Sequence, residues 1–200
     1  MKTLIDHMNE ALKIGKDISS FSTYSCQPKE KEELQDIINE RMSKEGANCN
    51  LNDIDVSKID DMSGLFFNTN FNGDISNWDV SNVKDMWGMF SFSKFNGDIS
   101  NWNTSNVEDM WGMFVMCKFN QDISNWNVSK VKDMNCMFYK TDFNQPIGNW
   151  DVSSVIDMCD MFREGKFNQD ISNWKIKCGC EASDAFFNCS IKKEHKPKLL

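Results

Sequence analysis

Apolar residues recur along this chain at a fixed interval of 24 residues. Each interval opens with Phe-Asn and carries a phrase close to Asp-Ile-Ser-Asn-Trp. A fixed period of this length is typical of repeat arrays, in which each unit buries its apolar side against its neighbours. The register is marked by Phe71, Phe95, Phe119, Phe143 and Phe167, and by Trp78, Trp102, Trp126, Trp150 and Trp174.

Within one unit the pattern changes from alternation to a spacing of about three. Residues 78–81 read Trp-Asp-Val-Ser, which alternates apolar and polar side chains and predicts a short strand. The apolar residues of 83–90 are spaced by three, three and one, which predicts a short helix or 3₁₀ turn. The expected core positions of the unit are Phe71, Ile75, Trp78, Val80, Val83, Met86, Met89 and Phe90, with their counterparts in the other units.

These patterns predict an α/β solenoid in which each unit contributes a short parallel strand and a short helix. About six units are expected, starting near residues 47, 71, 95, 119, 143 and 167. Four domain segments follow: 1–27, expected to be helical; 28–50, a helical cap; 51–190, the repeats; and 191–200, a basic tail expected to be frayed and solvated. The cap is expected because the segment has the signals of a helix. Pro28 stands near its start, an apolar stripe runs from Leu34 to Met42, and Gly46 lies where the helix should end.

Composition narrows the functional classes. The formal net charge of −8 argues against general affinity for nucleic acid or an anionic membrane. No apolar stretch is long enough to span a bilayer, and Asp6 and Glu10 interrupt any signal-like run near the start. The chain has eight cysteines, and Cys117, Cys136 and Cys159 lie at three different phases of the repeat, which favours free thiols in a reducing compartment. We therefore expect a cytoplasmic protein, or a surface or secreted one if an export signal was removed.

A cysteine cluster and two columns of aspartates suggest metal sites, but each has a simpler structural interpretation. Cys178, Cys180 and Cys189 lie close in sequence, with His195 as the one nearby fourth candidate, and ordinary capping thiols are favoured over zinc. Stacked aspartates in the columns of Asp74 and Asp85 could bind calcium, but they are expected to cap free amides. The column of Asn77 is expected to form a hydrogen-bond ladder on the exposed face rather than a ligand site.

No catalytic constellation can be built from the sequence. The two histidines, His7 and His195, lie near opposite ends, and no nucleophile–base pair or phosphate-binding glycine loop is present. We expect no enzyme activity, no cofactor and no small-molecule substrate.

The phrase at 71–86, Phe-Asn-Gly-Asp-Ile-Ser-Asn-Trp-Asp-Val-Ser-Asn-Val-Lys-Asp-Met, resembles a known bacterial repeat. It is similar to the DUF285-like repeats first noted in mycoplasma surface lipoproteins, a family allied to the BspA-like leucine-rich repeats. The stretch 31–57 looks like the cap that precedes those repeats, and the resemblance covers roughly residues 28–190. It implies a right-handed, leucine-rich-repeat-like solenoid that recognises proteins. Secreted members are considered surface antigens or adhesins, and no catalytic residue comes with the family.

Specific recognition is expected where the units differ. We predict a non-enzymatic, monomeric scaffold that binds a protein partner inside the cell, with surface adhesion as the alternative and a purely structural spacer as a third class. Trp87 and Trp111 are one unit apart and are expected to stack, either as an interface anchor or as a flank of the buried stripe. The candidate partner-binding residues are Trp87, Trp111, Lys84, Glu108, Lys132, Phe92, Met116, Tyr139 and Arg163.

Overall fold

The computed structural model describes residues 24–198. Its helices are α1, Lys31–Glu45, and a 3₁₀ helix, Lys193–His195. The described residues form no β-strand, only isolated parallel bridges such as Asp61 with Asp85 and Asp85 with Asp109. The predicted α/β leucine-rich-repeat-like solenoid is therefore wrong, because the repeats contain neither the expected strand nor the expected helix.

Consecutive tight turns take the place of the predicted helix. We call residues 61–69, 85–93, 109–117, 133–141, 157–165 and 181–189 the turn segments. In each of them alternate backbone N–H groups donate to a carbonyl three residues earlier, as Met89 does to Met86 at 3.2 Å and Ser91 to Gly88 at 3.0 Å. In the first five segments the intervening N–H groups donate across to the next unit, as Gly88 does to Trp111 at 2.8 Å. In the segment 85–93 every backbone donor is thus satisfied without a helix or a sheet.

Two residues of every turn segment have left-handed backbone conformations, which a continuing helix excludes. In the second unit these are Gly88, with φ 56°, and Phe92, with φ 58°. The aspartate that opens the segment makes a further turn, because the carboxylate of Asp85 accepts the backbone N–H of Trp87 at 2.8 Å. The predicted strand is replaced in the same way, since Asp79 accepts the N–H of Ser81 at 3.1 Å.

The core consists of columns of identical side chains, one from each unit. All eight predicted core positions of the unit at 71–90 are at most 4% exposed. Phe90 stacks on Phe114 with ring centroids 5.6 Å apart, and Trp78 stacks on Trp102 at 6.5 Å. The indole of Trp102 also donates to the carbonyl of Ile75 at 3.2 Å, which satisfies its one polar atom inside the core. The apolar pattern therefore predicted burial correctly.

An asparagine ladder joins the units, but not in the predicted column. The side chain of Asn120 accepts the backbone N–H of Asn144 at 2.9 Å, and Asn96 accepts that of Asn120 at 2.8 Å. These residues directly follow the repeat phenylalanine. The predicted column of Asn77 is exposed and makes only scattered bonds, such as that from Asn149 to the carbonyl of Ser124.

Helix α1 lies within the segment 28–50 and covers the first unit. Leu34 and Ile38 are fully buried in the common core, and Gly46 ends the helix with φ 89° while donating its N–H to Met42 at 3.0 Å. Arg41 fastens the helix to the first unit through the carboxylate of Asp53 at 3.0 Å. A polar bridge of this kind fixes the orientation of the helix on the array.

The last residues continue the repeat register, so the expectation of a frayed tail from 191 onward is wrong. Ile191 stands 24 residues after Phe167 and is buried, and Lys192 donates its backbone N–H to the side chain of Asn168 at 2.9 Å. His195 likewise accepts the N–H of Ile171 through its carbonyl at 3.0 Å. The expected helix at 1–27 lies outside the described residues for all but its last four positions.

Candidate functional site

Five large apolar side chains on the turn segments of the first three units form the candidate site, and all but half-buried Trp111 are exposed. Two ring contacts join four of them. Trp87 stacks on Trp111 with centroids 5.1 Å apart and planes 11° from parallel, while Phe67 meets Phe92 edge-on at 5.7 Å. Trp87, Phe67 and Phe92 are 42%, 48% and 47% exposed, and Met116 in the third unit is 48% exposed. We call Phe67, Trp87, Phe92, Trp111 and Met116 the aromatic face.

Two members of the aromatic face have a strained backbone. Phe92 and Met116 have φ values of 58° and 51°. Left-handed conformations suit glycine and asparagine, and they cost a bulky residue about 1–3 kcal/mol. The equivalent position is Asn68 in the first unit and Lys140 in the fourth, so polar residues fit this turn as well. Neither Phe92 nor Met116 offsets its strain by burial among the described residues, since they are 47% and 48% exposed.

Charged side chains border the aromatic face on both sides. At the start of the turn segments runs a row of half-buried carboxylates, Asp85, Asp109 and Asp133, none of which makes an ion pair within residues 24–198. At the other end stand Lys94 and Lys118, both exposed and also without an ion pair in the described part of the chain. The face therefore has an acidic margin and a basic margin.

Stacking of the aspartates in one row affects their ionisation. Burial raises the pKa of Asp85, the bond from the Trp87 N–H partly offsets this, and the charges of Asp109 and Asp61 raise it further. Burial and the charges of Asp109 and Asp157 likewise raise the pKa of Asp133. A cation placed along this row would stabilise its ionised form.

The predicted charged candidates lie in a column beside the acidic margin. Lys84 pairs with Asp60 at 3.8 Å, and Lys132 pairs with Glu108. Backbone bonds from Glu108 to Lys84 and from Lys132 to Glu108, both 2.8 Å, hold the column in register. Their charges thus alternate and largely neutralise one another. Their role in partner binding stays a prediction.

The last two predicted candidates are not part of the aromatic face. The ammonium group of Lys140 lies over the ring of half-buried Tyr139 at 5.1 Å. Arg163 pairs with Asp160 at 3.0 Å and with Asp184 at 3.1 Å, and it lies over the ring of Phe187. The turn segments of the fourth and fifth units are therefore polar where those of the second and third are apolar.

Sequence reasoning missed Phe67, which completes the face. It lies one position after the core residue Phe66, so a pair of phenylalanines hid it within an apparent core signal. The 24-residue register gave no clear signal either, because Phe67 aligns with Ser91 and Val115, which are buried, and with half-buried Tyr139.

The cysteines and aspartates between residues 24 and 198 are not grouped as a metal centre. All eight cysteines are unpaired, with Cys178 exposed and Cys180 and Cys189 half-buried. His195 directs Nδ1 to the carbonyl of Asn168 at 3.0 Å. Residues 24–198 contain no group of three or more His, Cys, Asp or Glu side chains arranged to hold a metal ion. The aspartates of the Asp74 column serve as turn caps, as Asp122 does for the N–H of Ser124 at 2.8 Å.

Comparison with known proteins identifies the family of this repeat. The model of the family described as "Mycoplasma protein of unknown function, DUF285" matches residues 33–141 and 115–196, which together span most of the chain. The chain belongs to the DUF285 family. The match is to DUF285 itself, and the kinship with BspA-like repeats expected from the sequence stays a prediction. The searches of curated proteins and of solved structures gave no match. Within residues 24–198 of this DUF285 chain, no helix is both long and apolar enough to cross a membrane.

Proposed function

We propose that this DUF285 chain is a non-enzymatic scaffold that binds another protein through its aromatic face. The observation that carries the proposal is the stack of exposed Trp87 on half-buried Trp111, together with the exposed pair of Phe67 and Phe92 in the first two units. Exposed tryptophans are typical anchors of protein interfaces, where they give a large contact area at low entropic cost. A contiguous apolar surface in water otherwise favours aggregation.

The strained backbone at Phe92 and Met116 supports the same conclusion. A turn that asparagine or lysine occupies in other units carries a large apolar side chain here, at a cost in folding free energy and with no burial in return. A partner that covers these side chains would supply the missing burial. Binding to nucleic acid, membrane or a small molecule has no comparable support among the described residues.

Two cellular settings remain open for this activity. Eight unpaired cysteines favour a reducing compartment, and we propose the cytoplasm on that ground. The alternative is a surface or secreted recognition module, which the resemblance to mycoplasma surface proteins favours.

The test of the proposal is affinity capture with variants that the repeat itself supplies. In the variant Trp87→Ser/Phe92→Asn/Met116→Lys, each new residue is the one found at the same phase in another unit, so the fold should persist. The matched control is Ile156→Lys, which removes an equally exposed apolar residue from a column that elsewhere carries lysine. Proteins retained by wild type and control but lost on the triple variant support the proposal. Identical retained proteins for all three would overturn it.

A further inference from the structure

We propose that the partner presents an amphipathic α-helix, which lies along the array against the aromatic face. This inference rests on the proposed function. It adds two properties of the bound element. Its secondary structure is inferred from the spacing of the aromatic face, and the arrangement of its charges is inferred from the two charged margins.

The spacing of the face matches a helix. The equivalent side chains of neighbouring units, Trp87 and Trp111, have ring centroids 5.1 Å apart, close to the rise of about 5.4 Å per helical turn. A helix with apolar residues at i, i+4 and i+7 would therefore meet one unit with each turn. An extended strand repeats its same-face side chains every ~6.6 Å, and it would lose register by about 1.5 Å at each unit. Three units correspond to about three helical turns, or roughly 11 residues.

The two margins specify the flanks of that helix. Along one flank, arginine or lysine would meet Asp85, Asp109 and Asp133, the carboxylates that lack an ion pair in the described residues. Along the other, glutamate or aspartate would meet Lys94 and Lys118. Electrostatic complementarity of this kind fixes orientation and suppresses wrong partners more than it adds affinity. The tryptophan faces add an attraction for cationic side chains on the acidic side.

Selection from two display libraries tests the inference on the full chain. One library randomises the surface of a helical scaffold and the other randomises an extended strand, and both are selected on wild type and counter-selected on Trp87→Ser/Phe92→Asn/Met116→Lys. We expect enrichment of helices with apolar spacing of three and four, basic residues on one flank and acidic residues on the other. Enriched binders should lose at least tenfold in affinity on the triple variant and none on Ile156→Lys.

The outcomes separate this inference from the proposed function. Face-dependent binders that are strands would overturn the helix and leave protein binding through the face intact. Absence of any face-dependent binder would overturn both.

The charge arrangement has its own readout. Asp109→Asn keeps the turn, because asparagine already caps the same kind of turn at Asn103, where it accepts the N–H of Ser105 at 3.2 Å. The substitution should weaken the selected helices about two- to fivefold, the value of a partly exposed ion pair, and the loss should shrink as salt is added. Unchanged affinity at low salt would overturn the assigned orientation.

Discussion

The backbone N–H of Asn144 donates to the side-chain oxygen of Asn120 at 2.9 Å, and this bond recurs at each step of the column from Asn72 to Lys192. The side chain of Gln145 donates to the same oxygen at 3.3 Å.

Asn120→Ala should lower the free energy of unfolding by about 1–2 kcal/mol, because a backbone donor loses its partner. Chemical denaturation measures the effect. Asn125→Ala is the control, since Asn125 is exposed and its side chain makes no hydrogen bond within the described residues. Equal stability of the two variants would contradict the ladder.

Phe92 should be a source of strain that asparagine relieves. Phe92→Asn should raise the free energy of unfolding by about 1 kcal/mol, because asparagine adopts the left-handed conformation more readily. Phe67→Asn is the matched control, for Phe67 is equally exposed but does not have a positive φ. The control should leave stability unchanged or lower it. A loss of stability in Phe92→Asn would show that the ring packs more than its exposure indicates.

The carboxylate row should make stability depend on pH in an unusual direction. The pKa of Asp85 and that of Asp133 are raised in the folded state, chiefly by burial, so their ionisation opposes folding as pH rises through those values. Asp85→Asn/Asp133→Asn should therefore raise the melting temperature at pH 7. The gain should vanish below about pH 4, where the two aspartates are protonated in both the folded and the unfolded state.

Asp122 provides the opposite case. Hydrogen bonds from Ser124 lower the pKa of Asp122, so its ionised form favours folding, and that stability is present above its unfolded pKa and lost in acid. Asp122→Asn should accordingly lower the melting temperature at pH 7. Thermal melts of both variants across pH 3–8 (a range spanning the ordinary carboxyl pKa of about 4) check the pair. If the melting temperatures of the two variants changed with pH in the same way, the opposite effects assigned to the carboxylate row and to Asp122 would be contradicted.

The thiols should react in order of exposure. Cys178 is exposed, whereas Cys117 is buried and accepts or donates a bond with Ser93 at 3.3 Å. Burial, followed by the charges of Asp160 and Asp157, raises the pKa of Cys136 to about 11, which leaves little reactive thiolate near neutral pH. Timed alkylation of the native protein, read by peptide mass spectrometry, should label Cys178 first and Cys117 last. Early labelling of Cys117 would contradict the packing of the third unit.

The sequence predicted which residues are buried better than it predicted their backbone. The 24-residue period predicts that Phe71, Trp78 and Met86 are buried, and this prediction does not depend on the local backbone conformation. The spacing of Val83, Met86 and Met89 suits a helix and a chain of three-residue turns equally, since both close bonds at short range. The deciding signals were Gly88 inside the supposed helix and Asp85 just before it, which are typical of turns.

The candidate site was only partly accessible from the sequence. The stacking of Trp87 on Trp111 was expected from their separation by one unit, and the structure shows it. The register alone could not reveal that Lys84, Glu108 and Lys132 neutralise one another, because ion pairing depends on where long side chains turn. The choice between the Asn72 and Asn77 columns was also open, since both are equally periodic.

Each boundary between units is made by the same backbone bonds, in which four N–H groups of one turn segment donate to four carbonyls of the next at 2.7–3.0 Å. Removal of residues 95–118 would present the donors of the second unit to identical acceptors of the fourth, whereas removal of a number that is not a multiple of 24 would set every column out of phase. The repeat array can therefore shrink or grow in phase only by whole units of 24 residues. The same deletion would take away Trp111 and Met116, so an intact repeat fold can lose two of the five residues of the aromatic face in one genetic step.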